Sequence, residues 1–412
     1  MGPIRRLGHS LVISLWFMFL TFPIMVPKVD TIEKTVQWRW DNLLYVGAGS
    51  FFLSLLWRFL LERKERGPFR AAEQEKKPVA PTWADRLRGN PRALRSVVVI
   101  LALAVCIFPF LPFVTTYQVN ILTNAILYIM LGLGLNIVVG LAGLLHLGYV
   151  AFYAVGAYTY ALLYYHFGVG FWTALPLGAL LATLFGVLLG FPILRLRGDY
   201  LAIVTLGFGE ITRLVLENWG EFTFGPSGIA GIPRPGLFGM EMNLHEVTIY
   251  IYFLMVGLCL ATIFVVRRLQ DSRIGRAWVA LREDEIACEA MGVDTRMAKL
   301  TAFALGSTWA GLAGVVFAAK TTFVNPASFT FLESAMILSI VVLGGMGSIA
   351  GVALGALILI LTPEYLRAFS EYRMLAFGVI MVLMMVFRPQ GIVTGVRRVY
   401  TYTRKGQDGK ET

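Results

Sequence analysis

Residues 267–299 read RRLQDSRIGRAWVALREDEIACEAMGVDTRMAK, a polar, evenly charged stretch between two strongly apolar blocks. Such a segment cannot lie in hydrocarbon, where each unpaired charge costs on the order of 3 kcal/mol or more. It therefore marks a water-side feature of a membrane protein. Its middle carries helical signals: Ala277, Leu281 and Cys288 alternate with charged residues, and Gly292 offers a stop. A short amphipathic helix in a long internal loop is the shape a membrane subunit presents to a soluble partner. A solvated connector is the other reading of the same residues.

Outward from this loop the chain is apolar. Of 412 residues 57% are hydrophobic and 15% charged, where a soluble chain carries about a quarter charged. Runs long enough to cross a bilayer (~20 residues each) are Leu11–Val26, Leu43–Leu61, Val97–Val114, Ile121–Val139, Val150–Tyr165, Phe171–Leu194, Val247–Val266, Leu300–Ala318 and Tyr372–Phe387. The fold class is an all-α polytopic membrane protein with about ten transmembrane or re-entrant segments, some of them broken by glycine. Residues 1–61 read as a two-span extension, 62–95 as a charged, proline-containing cytoplasmic linker, 96–396 as the core and 397–412 as a tail.

The net charge of +11 does not point to nucleic acid, because the basic residues cluster in alternate loops. Arg5 and Arg6, the linker, Arg195 and Arg197, the central loop, and Arg397, Arg398, Arg404 and Lys405 follow the positive-inside pattern. Loops such as Pro27–Asp41 and Trp219–Glu246 are balanced or acidic. Both termini and the central loop are thus expected in the cytoplasm. It follows that Lys320–Glu333 lies outside, and that Ser334–Leu361 enters and leaves on that same side. A helix pair broken at Gly344-Gly345-Met346-Gly347-Ser348 satisfies this as a re-entrant hairpin. The same glycines could instead serve close helix packing.

Similar texture recurs at Gly132, Gly134, Gly140, Gly143, Gly148 and Gly156, and at Gly207 and Gly209, with Asn136, His146 and Glu210 in or beside these stretches. Polar groups at membrane depth are functional candidates. Equally, His146 could cap a turn, and Glu210 could pair with Arg213 three residues on. Other chemistry has no footing. Cys106 and Cys259 fall in spans and Cys288 in the loop, four histidines are dispersed, and no G-x-x-x-x-G-K-[ST] phosphate loop occurs. Glu210 is nearly alone as an ionisable residue in the spans, whereas ion-driven carriers expose relays of such residues. A pathway without ion coupling draws energy from outside, and the central loop is the place to receive it.

The stretches LGLNIVVGLAGLLHLGYVAFYAVGAY, LLGFPILRLRGDYLAIVTLGFGEI, GRAWVALREDEIACEAMGV, VVLGGMGSIAGVALGA and FRPQGIV resemble signature segments of the LivM family. These are permease subunits of the bacterial high-affinity branched-chain amino acid ABC importer, and the likeness runs from about Val119 to Val393. The resemblance implies a type II-like importer permease in the bacterial inner membrane. It implies as partners a LivH-like second permease, LivG- and LivF-like ATPase subunits that bind the ATP, and a periplasmic branched-chain amino acid binding protein, with no cofactor or metal of the chain's own and no enzymatic activity. The coupling helix would be the Gly275–Gly292 region, with Arg282, Glu283, Asp284, Glu285, Glu289 and Gly292; Glu289-Ala290-Met291-Gly292 is a compressed form of the E-A-A…G importer loop. The translocation-pathway candidates are Asn136, His146, Tyr149, Thr205, Glu210, Gly344 and Gly347. The loop GPSGIAGIPRP (Gly225–Pro235) is a candidate docking surface for the binding protein or a rigid turn-rich loop. A related permease for urea or amides, or an ion-coupled secondary carrier, is the alternative.

Overall fold

The computed structural model describes residues 3–30, 35–52, 54–55, 104–112, 114–194, 196, 198–236, 243–365, 378–379, 381–382, 384, 386–387 and 391–393. The expected linker 62–95 and tail 397–412 lie outside these residues, as do residues 97–103 of the expected span Val97–Val114 and most of Tyr372–Phe387. The chain divides into two units, 1–99 and 100–412.

In the first unit, α1 (Pro3–Met25) is followed by β1 (Pro27–Asp30), β2 (Thr35–Trp38) and α2 (residues 40–52). The strands pair antiparallel, Pro27 opposite Trp38, so what the sequence reads as a plain loop is a hairpin. The helices meet through small polar residues. The Ser14 hydroxyl donates to Gly47 O at 2.7 Å, and the Ser54 hydroxyl to Ser10 Oγ at 2.9 Å. In lipid, apolar side chains gain nothing by leaving hydrocarbon, so close backbone approach and such bonds hold helices together.

The second unit opens with α3 (Thr116–Leu135), started by a capping box in which Gln118 N donates to Thr115 Oγ1 and Thr115 N to Gln118 Oε1. From Ile129 to Leu135 the helix is buried all round. It then widens into a π-helical turn at Asn136–Leu141, and residues 142–149 leave helical geometry before α4 (Val150–Phe167). Ala142, Leu144, His146 and Tyr149 in that irregular stretch are buried, the condition for non-helical backbone at membrane depth. α5 (Phe171–Ile193) exposes Leu180, Leu184, Leu188 and Phe191 along one side, an apolar stripe for lipid. α6 (Asp199–Asn218) is a helix that the expected spans omit, because Glu210, Arg213 and Glu217 dilute its apolar run.

After α6, Ile229–Ala230 (β3) pairs with Phe323–Val324 (β4), tying the 225–235 loop to the end of a later helix. α7 (Leu244–Asp271) begins at the Asn243–Glu246 capping box. Next come α8 (Arg273–Glu283), α9 (Glu285–Ala290), α10 (Thr295–Thr321), α11 (Phe331–Gly344) and α12 (Ile349–Tyr365). α10 is the centre of the bundle, against α4 and α5. A Cβ on Gly156 would strike the Gly311 backbone, and one on Gly314 would strike Tyr153 O, so these helices touch backbone to backbone. Among the described residues five helices are long and apolar enough to cross a membrane: Thr116–Leu141, Phe171–Ile193, Leu244–Asp271, Thr295–Thr321 and Pro326–Gly344.

α8 and α9 mark one end of the bundle. α10 starts beside them and, at 27 residues, carries Lys320 ~40 Å toward the other end. α3 runs the opposite way, finishing where Gly140 meets Arg282 of α8. α11 also descends to the α8 end, and α12 returns, so that Leu361 and Tyr365 line a pocket with Thr115 and Gln118 at the start of α3. The helix pair expected of Ser334–Leu361 is present, broken at the expected glycines.

The segment Lys320–Glu333 begins and ends in helix: Lys320 belongs to α10, and Glu333 lies in the first turn of α11. The Tyr128 hydroxyl donates to Glu333 Oε2 at 2.6 Å, at a point ~18 Å along α3 from Thr116. Glu210 is therefore not nearly alone. The polar run TTFVNPASFTF between these helices gives no linear sign that its flanking ions turn back into the bundle.

Candidate functional site

Glycine-broken segments meet at the α8 end of the second unit. Gly345 and Gly347 take φ of 115° and 82°, values that L side chains avoid, and this turns the chain sharply between α11 and α12. Asn136, at the start of the π-helical turn, holds the turn in place: its Oδ1 accepts from Gly347 N at 2.8 Å. A Cβ on Gly140 would collide with Asn136 Oδ1 and come up against Gly347 N, so the two breaks are in contact. A third segment joins them, with Ile392 N donating to Leu343 O at 2.9 Å and Val393 N to Gly344 O at 3.0 Å. These bonds occupy carbonyls that the end of α11 would leave bare.

The irregular stretch 142–149 lies above this junction. Leu147 N donates to Thr205 Oγ1 at 3.0 Å, and Gly148 abuts Thr205 O so closely that a Cβ has no room. The Tyr149 hydroxyl donates to Gly306 O at 2.9 Å, and His146 packs among the rings of Tyr149, Phe152 and Phe303. His146 does not cap a turn. Neither ring nitrogen has a partner among the described residues, nor does Asn136 Nδ2. Ser334 Oγ accepts from Val150 N at 2.9 Å, so α4 and α11 begin side by side.

Of the pathway candidates, Asn136, His146, Tyr149, Thr205, Gly344 and Gly347 thus gather along the two breaks. Glu210 stands apart on α6, where Arg213 Nε lies 2.9 Å from it and Arg213 Nη1 2.6 Å from Glu217. That is the Arg213 pairing the sequence raised.

The central loop holds two helices where one was expected. Asp284 is extended (φ −159°, ψ 114°) and its carboxylate accepts from Ile286 N and Ala287 N, closing α8 and capping α9. The buried face is Gly275, Trp278, Leu281 and Cys288, with Ala277 only half-buried. The loop is clamped to the base of α10. Trp278 Nε1 donates to Ala298 O at 2.8 Å, and Glu285 Oε1 lies 2.8 Å from the buried Lys299 Nζ. Glu285 is turned into the protein, and Gly292 (φ 78°) supplies the turn after α9. The outward face presents Glu283 and Glu289 with Ile286, Met291 and Met297.

Arg282 faces the other way. Its Nη1 donates to Gly140 O at 2.6 Å, while Gln270 Nε2 at the end of α7 donates to Gly347 O at 3.2 Å. The loop helices and the preceding helix therefore each hold one of the two breaks. Gln270, Lys299 and Trp278 were not singled out in the sequence. Their only linear signal is position, within or beside a charged run that already drew attention.

The model of the branched-chain amino acid transport system / permease component family matches residues 117–387. The high-affinity branched-chain amino acid transport system permease protein LivM of Escherichia coli K12 is 51% identical over 321 residues, 73% of this chain and 75% of that one. LivM of Salmonella typhimurium LT2 is 44% identical over 392 residues, 90% of this chain and 88% of that one. LivH, a permease protein of the same system in Escherichia coli K12, is 29% identical over 158 residues, 38% of this chain and 49% of that one. No solved structure matches.

Proposed function

The chain belongs to the branched-chain amino acid transport system / permease component family, and from that premise we propose that it forms one half of the pathway of an ATP-driven importer for leucine, isoleucine and valine. It is a multi-pass membrane protein and a transport permease subunit. A second, LivH-like permease supplies the other half, and separate LivG- and LivF-like subunits bind and hydrolyse ATP. A periplasmic binding protein delivers the amino acid to the end opposite α8 and α9, with the 225–235 loop, pinned by β3 and β4, as its docking surface. Both termini and the loop helices lie in the cytoplasm.

The Arg282–Gly140 hydrogen bond carries this reading. It joins a water-facing pair of helices to a broken intramembrane helix with no intervening side chain. Glu285 and Lys299 keep the loop helices and α10 moving as one piece, so an ATPase that shifts the outward face of α9 moves Arg282 and α10 together. Arg282 then pulls on the π-helical turn, and Gln270 on the turn at Gly347. Rigid-body motion of this kind opens a path to alternate sides around a fixed centre.

The test places a cysteine on the outward face. Met291→Cys in a Cys106→Ser background leaves as native thiols only Cys259 and Cys288, both buried. Crosslinking in membranes should capture an ATPase subunit. Arg282→Ala should lower ATP-dependent leucine uptake about tenfold, equivalent to ~1.4 kcal/mol on the transport barrier, with ATP hydrolysis continuing. Leucine uptake that follows an imposed proton gradient, with no ATPase captured, would make the chain a secondary carrier instead.

A further inference from the structure

A second polar region runs from the end of the bundle opposite α8 and α9 to the start of α11, beside Ser334. α3 presents Asn120, Asn124 and Tyr128 at successive turns along one face, and all of them keep exposed surface in a helix otherwise largely buried. Lys320, in the last turn of α10, donates to Asn120 O at 3.3 Å and to Asn124 Oδ1. One turn further along α3, Glu333 accepts from the Tyr128 hydroxyl at 2.6 Å.

The two ions are partly buried and of opposite sign, yet among the described residues no ion pair or hydrogen bond joins them. Each is held by its own turn of α3, ~6 Å apart along the helix. Glu333 bonds well along α3 and Lys320 one turn from its start, and ionisable residues within spanning helices mark substrate routes. If these served only to steady the fold, pairing with each other would neutralise both. Held apart and partly open, they offer one cationic and one anionic contact to something that carries both charges on neighbouring atoms. The adjoining residue of α11, Ser334, accepts from the first amide of α4, so the positive ends of two helix dipoles also open here.

We propose that Lys320 and Glu333 form a station for the zwitterionic backbone of the transported amino acid. The Lys320 ammonium receives its carboxylate and the Glu333 carboxylate receives its ammonium group, while Asn124 and Tyr128 position the two ions. The inference rests on the importer reading above and deepens it. It assigns recognition of the part common to all α-amino acids to this chain and leaves the choice of side chain to the binding protein.

The test uses the complete importer, with its second permease, ATPases and binding protein, reconstituted in vesicles and supplied with radiolabelled leucine. Glu333→Gln keeps an oxygen for the Tyr128 hydroxyl and removes the charge; Tyr128→Phe removes the hydrogen bond and keeps the charge. A zwitterion station predicts that Glu333→Gln and Lys320→Gln each lower uptake about tenfold and raise the ATP hydrolysed per leucine moved by a similar factor. It also predicts that Tyr128→Phe costs less than Glu333→Gln, and that Lys320→Arg recovers most of what Lys320→Gln loses. If Tyr128→Phe proves the more damaging, or uptake and hydrolysis fall together at a constant ratio, the ions only hold the helices and the proposal is overturned. Failure of the importer reading would look different, because the unmutated complex would then take up no leucine on ATP.

Discussion

Lys299 has a side chain only 2% exposed, and its ammonium lies 2.8 Å from a Glu285 carboxylate that is 20% exposed. Leu194 O is a further acceptor at 3.4 Å. Removing one member of such a pair leaves the other desolvated without compensation, which costs on the order of 3 kcal/mol. Lys299→Met should therefore lower the melting temperature of the purified complex clearly, and adding Glu285→Gln should restore part of the loss. Additive losses in that double-mutant cycle would mean the two groups are not coupled. Arg282 and Glu283, by contrast, lie 3.6 Å apart with side chains 37% and 52% exposed, and exposed pairs of that kind contribute ~0–1 kcal/mol. Charge spacing in the sequence cannot tell these two carboxylates apart. Both sit in the run REDE, and only the fold shows that Glu285 reaches a buried lysine while Glu283 stays in water.

At the scale of elements, the same distinction governs the glycines. Gly207 and Gly257 have open space where a side chain would go, whereas Gly140, Gly148 and Gly344 abut backbone or the Asn136 amide. Gly207→Ala, in the interior of α6, should be neutral or stabilise by ~0.5–1 kcal/mol. Gly347→Ala must hold a left-handed φ of 82°, a strain of ~1–3 kcal/mol, in the turn that Asn136 and Gln270 grip. Leucine uptake should fall sharply in the second variant and not in the first; equal effects would show that the α11–α12 turn has no special part in transport. The break itself was legible, because the positive-inside pattern required Ser334–Leu361 to enter and leave on one side and its glycine cluster was where the run could turn. Which earlier glycines join it was not legible, because contact between residues such as Gly140 and Gly347 leaves no mark on either local pattern. α6 was missed for the opposite reason: Glu210, Arg213 and Glu217 satisfy one another along its face, so a helix that looks too polar in sequence is locally neutralised.

For the whole molecule, composition and the alternation of basic and non-basic loops were enough to give a polytopic helical protein with a water-side central loop. The contacts of Lys320 and Glu333 with α3 were not available from that level of reading, since hydropathy treats a charge flanking a loop as an end of the span. Their opposite charges on neighbouring turns of α3 carry a consequence for the electrical behaviour of transport. One elementary charge moved through 100 mV is worth ~2.3 kcal/mol, enough to make a transport step strongly voltage-dependent. Here the fixed ions are one positive and one negative, a turn of α3 apart, and an amino acid held between them is itself neutral. A movement that carries all of them through the membrane field displaces no net charge. Leucine uptake by vesicles clamped at different diffusion potentials should accordingly proceed at the same rate, whereas Lys320→Gln or Glu333→Gln, by leaving one ion unbalanced, should make the residual uptake rise or fall with voltage in opposite senses.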